Sequence, residues 1–301
     1  MLELKNPRIA APVVLFAGII WSFGPLVVRN LNDPQLIQWQ YIFGRGLTIF
    51  ILLNLYLYFE EGKSFYKNYF KIGISGLVGG SGLGVAMITF IYSITNTSAA
   101  ITLLCLAIMP FFTALLAFLF LKEKISLNVW ISIIIASVGI IIMAIGSEEQ
   151  NTFIGFIFGL TSSLGFSVFS VTLRWRKETP KFTTIAFAGF FCFIFASIMI
   201  LSNDLVFFST SYNSSLFSLH GTLVCLGLIL YSIGSKAIPA AELTLLSLTE
   251  VIGGIFWVWL PLFGINEIPT TNTIIGGFFL FISLTYYSLV MRWNKRYIGL
   301  N

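Results

Sequence analysis

Two ionisable residues sit where a chain this apolar has few. Glu250 lies near the middle of an unbroken apolar run, Ala240 to Phe263 (AAELTLLSLTEVIGGIFWVWLPLF). At about 1.5 Å per helical residue it falls roughly 16 Å from Pro239, about half way through a ~30 Å hydrocarbon core. A carboxylate there costs at least ~2.5–3.5 kcal/mol unless it faces protein or a wet cavity, so it requires a partner. Arg45, counted in from Gln35, falls at a similar depth in another apolar run. Its guanidinium offers a planar fork that fits a carboxylate. Gly44 and Gly46 on either side let a helix or a ligand come close. Gln38, Tyr41, Arg45 and Thr48 form one helical stripe, and Ser247, Glu250, Gly254 and Trp257 form another. Trp21 and Trp39 bracket the same depth. Arg45 and Glu250 either pair with each other and fix packing, or each takes an opposite charge from a bound solute. The two states can alternate.

Positioning these groups requires membrane helices. Of 301 residues 57% are hydrophobic and 10% charged, with mean hydropathy +0.93. Soluble domains carry about 25% charged residues. Ten apolar segments can be drawn, at 11–28, 35–59, 69–94, 98–120, 127–146, 152–174, 183–202, 216–236, 239–263 and 272–292. Their continuity predicts an all-α polytopic membrane protein of ten transmembrane helices rather than a β-barrel. No polar stretch is long enough for a separate catalytic domain. The run from residue 11 to 28 follows MLELKNPRIAAP and has no small-residue cleavage site, so it is expected to be the first span. Of the 17 Lys and Arg, 15 fall on the side of the N-terminus, Arg29 falls on the other, and Arg45 lies within the membrane. Positive charge marks the cytoplasmic side, which puts both termini there and accounts for the net charge of +5 without a nucleic-acid partner.

The chain also repeats. LFLKEKISLNVW joins the fourth and fifth segments, and PLFGINEIPTTN joins the ninth and tenth. Glu123 and Glu267 align across these joins, 144 residues apart. Five spans per half invert the second half relative to the first. Inverted repeats place a substrate site at their interface near the midplane.

With IIWSFGPLVVR in the first segment, FGRGL in the second, IMPFFTALLAFLFLKEKIS across the fourth and fifth and LTEVIGGIFWVWLPLFGINEIPT across the ninth and tenth, the sequence resembles the EamA-type repeats of the drug/metabolite transporter superfamily. The likeness covers about 13–145 and 152–291. It implies two five-helix repeats, residues 1–148 and 149–301, in the inner (plasma) membrane of a bacterium. It also implies transport of small organic metabolites, often amino acids, often by export. One departure stands out. Pro110 of the first repeat has no counterpart, since Gly254 or Ile255 stands in its place, so a kink there would have to come from Gly253-Gly254.

These residues together suit a zwitterion: carboxylate on Arg45, ammonium on Glu250, and an apolar side chain on Trp21 and Trp257. Gln38, Tyr41 and Ser247 complete the expected substrate site. An organic cation held by Glu250 and aromatic faces is the alternative, with Arg45 as counter-ion. Glu242, one turn from the boundary near Lys236, is expected at the interface. Expected partners are a small-molecule substrate and the bilayer, with the chain a monomer or weak homodimer and no cofactor or metal. There is no nucleotide-binding motif, so a gradient or an exchange partner must supply the energy.

Other motifs have simpler readings. GISGLVGGSGLG in the third segment spaces Gly76, Gly80 and Gly84 by four, a close-packing face. It lacks the Lys-Ser/Thr of a phosphate loop. Cys105, Cys192 and Cys225 are dispersed packing residues. Trp130 and Trp293 are expected as interfacial anchors. A GxSG match at Gly73–Gly76, with the single histidine His220, raises an intramembrane serine protease. Ser75 lies about two turns from the inner face, though, and His220 about one turn from the outer face, too far apart for a dyad. A passive channel or a structural subunit is the remaining rival.

Overall fold

A computed structural model of the protein describes Leu4 and residues 6–145, 153–176 and 178–297. The expected repeat boundary at 148/149 lies outside the described residues. Those residues form helices and connecting turns, with no strand among them. In chain order the helices are α1 (Pro7–Trp21), α2 (Gly24–Arg29), α3 (Gln38–Glu61), α4 (Lys67–Phe70), α5 (Gly73–Asn96), α6 (Ala99–Leu106) and α7 (Met109–Leu116). They continue with α8 (Leu127–Ile145), α9 (Phe153–Trp175), α10 (Lys181–Ser202), α11 (Ser211–Gly234), α12 (Ala240–Leu246), α13 (Thr249–Trp259) and α14 (Thr271–Tyr297).

Among the described residues eight helical stretches are long and apolar enough to cross a membrane: Pro7–Arg29, Gln38–Phe70, Gly73–Asn96, Ala99–Leu121, Phe153–Trp175, Lys181–Ser202, Ser211–Gly234 and Ala240–Trp259. The chain is a polytopic membrane protein. The fifth and tenth expected segments are helical as well, but their described apolar parts are shorter, Leu127–Ile142 and Ile274–Tyr287.

Three of the expected single spans are broken. The first turns between Trp21 and Gly24, where the Ser22 hydroxyl donates to the Ile19 carbonyl at 2.6 Å and Pro25 restarts a helix. The fourth breaks between Leu106 and Met109, just before Pro110, which sits in the first turn of α7 where its missing N–H costs nothing. The ninth breaks too, but not at Gly253-Gly254. The break lies at Ser247-Leu248, between α12 and α13. Here hydroxyls stand in for the missing proline. Thr244, Ser247 and Thr249 each donate to a backbone carbonyl three residues back, a pattern that competes with the helical ladder and bends it. Gly253 and Gly254 serve packing instead: a Cβ on Gly253 would meet Ser22 at 2.7 Å, and one on Gly254 would meet Leu103 at 2.7 Å.

The helices pack in a regular scheme. The strongest pairings are α5 with α9, α3 with α10 and α8 with α14, followed equally by α1 with α11, α5 with α10 and α3 with α11. α6 and α7 lie on α9, while α12 and α13 lie on α1. Close approach relies on glycine at the crossing of α3 and α10, where a Cβ on Gly46 would lie 3.0 Å from the Gly189 carbonyl and one on Gly189 would lie 2.9 Å from the Gly46 carbonyl. The Gly76, Gly80 and Gly84 stripe of α5 takes α10 side chains Thr184, Phe187 and Phe191. This is the helix-packing use expected of it.

Candidate substrate cavity

α3 delivers Arg45 to the centre of this bundle. The Gly46 crossing fixes one side of the helix against α10, and Gly44 lets Phe217 of α11 come within about 3 Å of where a Cβ would stand. Arg45 therefore points between α5 and α11. It is 2% exposed. One terminal nitrogen donates to the Met87 carbonyl, its Nε has no hydrogen-bond partner, and the guanidinium carbon stands 5.9 Å from the centre of the Tyr41 ring. Glu250 arrives from the opposite direction. The bend at Ser247-Leu248 places it in the first turn of α13, where a negative side chain suits the positive helix end.

Both charges line one cavity. Its walls come from α1, α3, α5, α6, α7, α9, α11 and α13, before and after residue 148. Trp21, Phe90, Phe166, Met87 and Met109 supply apolar surface, and His220 adds a third polar side chain. The cavity volume is about 70 Å³, well above the ~10–15 Å³ minimum for a single water, so a small polar solute can enter it. Among the described residues no hydrogen bond or ion pair joins Arg45 to Glu250. The mutual pairing allowed by the sequence is not formed in this state.

Of the residues expected at the site, Arg45, Glu250 and Trp21 line the cavity. Trp21 is held by a 3.3 Å bond from its Nε1 to the Val224 carbonyl and by edge contact with Phe166 at 5.6 Å. The other four lie outside the lining. Gln38 donates to the Thr95 hydroxyl at 2.6 Å, between α3 and α5. Ser247 donates to the Thr244 carbonyl, because it sits at the bend. Trp257 stacks on Phe23 at 4.6 Å and donates to the Ser22 hydroxyl at 2.9 Å. Tyr41 is one layer behind, with its hydroxyl bonded to His220 Nδ1. Trp39 packs between Tyr92 and Phe195 instead of on the cavity. Trp130 is half-buried against the core, and the side chain of Trp293 lies outside the described residues. Glu242 accepts the Tyr287 hydroxyl.

His220 is the cavity residue that sequence reasoning weighed only as a hydrolase base. It lies deeper than the apolar segment from residue 216 implies, because the helix begins five residues earlier, at Ser211. The polar turn SYNSS is helical, capped by Thr210, whose side chain accepts from the Asn213 N–H. His220 is thus nine residues beyond Ser211, about 14 Å in. A lone histidine well inside an apolar run was the signal available. The serine-protease dyad is not assembled: the Ser75 hydroxyl is bonded to Thr179, and His220 to Tyr41.

Among the described residues two ion pairs lie at the ends of helices, outside the cavity lining. Arg29 meets Glu267 at 2.5 Å, and Arg174 meets Glu123 at 2.6 Å. The two glutamates aligned by the sequence repeat therefore share a structural role.

Comparison with known proteins places this architecture. A family model described as the EamA-like transporter family matches residues 8–145. Two curated relatives from Helicobacter pylori strains, J99 and 26695, each named an uncharacterized transporter, are 27% and 26% identical over 257 residues. The matches cover 81% of this chain and 84% of each relative. One solved crystal structure superposes with a TM-score of 0.70 over 94% of this chain and 97% of that one. At 16% identity it speaks for the fold alone.

Proposed function

We propose that this chain, which matches the EamA-like transporter family over residues 8–145, is a transporter of the drug/metabolite transporter superfamily and that it moves a small zwitterion, an amino acid or a close relative, by alternating access. The observation that carries this reading is the unpaired state of Arg45 and Glu250 on one small, largely apolar cavity. A zwitterion satisfies both charges at once, its carboxylate on the guanidinium fork and its ammonium on Glu250. Its side chain would meet Trp21, Phe90 and Phe166. His220, oriented by Tyr41, offers a third polar contact.

The scaffold we propose is ten membrane helices in two inverted five-helix repeats, residues 1–148 and 149–301, with both termini cytoplasmic in a bacterial inner membrane. The packing scheme supports it. Exchanging each span with the span five later turns α5·α9 into α11·α1 and maps α3·α10 and α8·α14 onto themselves. The bends in the fourth and ninth spans match as well, since Met109 and Thr249 both restart a helix. Cysteines introduced at Ser211 and Lys124, both exposed, check the orientation: impermeant reagent from outside should label the first and spare the second.

One observation favours an organic cation instead. Arg45 already donates to Met87, as a fixed counter-ion would, and leaves Glu250 with the aromatic walls. A single comparison separates the readings. Transport by Arg45→Gln protein is measured with a carboxylated substrate and with its decarboxylated amine. The zwitterion reading expects loss confined to the carboxylated substrate, and equal impairment of both overturns it. Counterflow in proteoliposomes tests the carrier mechanism, because a passive channel gives none.

A further inference from the structure

The two ion pairs at the helix ends are built to the same plan with the halves of the chain exchanged. Arg29 is the last residue of α2, and Arg174 lies one residue before the end of α9. The arginines are 145 residues apart and the glutamates, Glu123 and Glu267, 144 apart. Each arginine also reaches the backbone that closes the neighbouring hairpin. Arg29 donates to the carbonyls of Ile94 (3.0 Å) and Thr97 (2.8 Å), between α5 and α6. Arg174 donates to those of Ser235 (3.1 Å) and Ile238 (2.9 Å), between α11 and α12. Both carbonyl positions are offset by 141 residues. Each guanidinium thus ties three elements together: its own helix end, the hairpin beside it, and the segment after α13 or α7 that carries the glutamate. Glu267 adds a bond from the Ala99 N–H at 3.3 Å, the first residue of α6.

General packing does not require this arrangement. Single exposed ion pairs contribute little to stability, ~0–1 kcal/mol. Here each pair is half-buried, with arginine side chains 17% and 26% exposed, and joins elements that flank the cavity. Arg29 and Glu267 follow spans that run one way, Arg174 and Glu123 spans that run the other, so the pairs lie at opposite ends of the bundle. Both are formed here at once.

We propose that Arg29–Glu267 and Arg174–Glu123 are a matched pair of gate latches, one at each mouth, and that transport opens them one at a time. This rests on the alternating-access reading. With both latches formed neither end of the cavity is free to widen. Releasing one frees α6 or α12 at its near end while the opposite latch holds, and the bends at 107–108 and 247–248 let that half-helix swing. A charge-assisted network of modest strength suits the task, since a stronger tie would trap the carrier.

The test needs no substrate, so its failure is distinct from failure of the zwitterion assignment. A reporter cysteine replaces Phe90 in a background where Cys105, Cys192 and Cys225 are serine or alanine. Its reaction with an impermeant thiol reagent is timed in right-side-out and inverted vesicles. Glu267→Gln should raise the labelling rate from the Arg29 side about fivefold, the equilibrium effect of losing one partly exposed ion pair, and lower it from the other side. Glu123→Gln should do the reverse. Glu267→Asp, purified as a monodisperse protein, keeps the charge and should hold the rate nearer to that of the parent than Glu267→Gln does. Equal changes on both sides for either Gln variant, no change from either, or a rate in folded Glu267→Asp no nearer the parent than that of Glu267→Gln would overturn the latch assignment.

Discussion

Opposite charges meet in this molecule at two kinds of place, and they are treated differently. At the ends of the bundle Arg29 and Arg174 each close on a glutamate within 2.6 Å and on two carbonyls besides. At its centre Arg45 and Glu250 line one cavity without touching. The ordering runs against electrostatic need, because a pair gains most where water is scarce. Leaving the central charges apart keeps two attachment points for a solute. Pairing the peripheral ones ties helices whose relative motion must be controlled.

The largest effect that would break this contrast is loss of a central charge. Arg45→Gln or Glu250→Gln should reduce uptake of the carboxylated substrate into proteoliposomes by two orders of magnitude or more, since removing one of two charges satisfied by the same ligand costs about 3–5 kcal/mol. Full activity in Glu250→Gln would make that residue a packing group like its neighbours.

Next in size is the geometry that aims Arg45. A methyl group at Gly46 would lie 2.9 Å from the Phe193 backbone nitrogen, with no flexible neighbour to yield. Gly46→Ala should cost about 1–3 kcal/mol, read as a lower unfolding midpoint in detergent. Gly277→Ala, where a Cβ meets nothing within 4 Å, should leave it in place.

A smaller effect separates two polar residues that the sequence brought forward together. His220→Ala should weaken substrate binding about tenfold, the loss of one buried hydrogen bond at the cavity. Ser75→Ala, which removes only the contact with Thr179, should transport normally. Smallest of all is the effect of a single latch on stability. Glu123→Gln should shift the unfolding midpoint by the equivalent of ~1 kcal/mol or less while altering access to the cavity. A large loss of stability with unchanged access would make the pair structural.

Much of this was legible in the chain by itself. Apolar runs of about twenty residues can only be buried helices or spans, because backbone groups in lipid must bond internally. That fixed the all-helical polytopic class and directed attention to Arg45 and Glu250, whose presence in such runs requires compensation. The alignment of Glu123 with Glu267 was visible as a sequence offset. What each glutamate pairs with was not, because Arg29 is 238 residues from Glu267 and nothing local specifies the contact. Helical stripes put Gln38 and Tyr41 beside Arg45, and Ser247 and Trp257 beside Glu250. A stripe assumes a straight helix and one neighbour, however. The bend at Ser247-Leu248 breaks the phase of the second stripe, and several neighbours share the first: Gln38 turns to Thr95 on α5, Tyr41 to His220 on α11. Tertiary packing alone brought His220, Phe90 and Phe166 to the cavity, since residues on three helices far apart in sequence become neighbours only where small residues let those helices approach. Sequence sets which groups must be kept from lipid, by solvation energy that each residue carries with it. Only the assembled bundle decides which of them face one another, because that depends on where glycines permit close contact and where hydroxyls bend a helix.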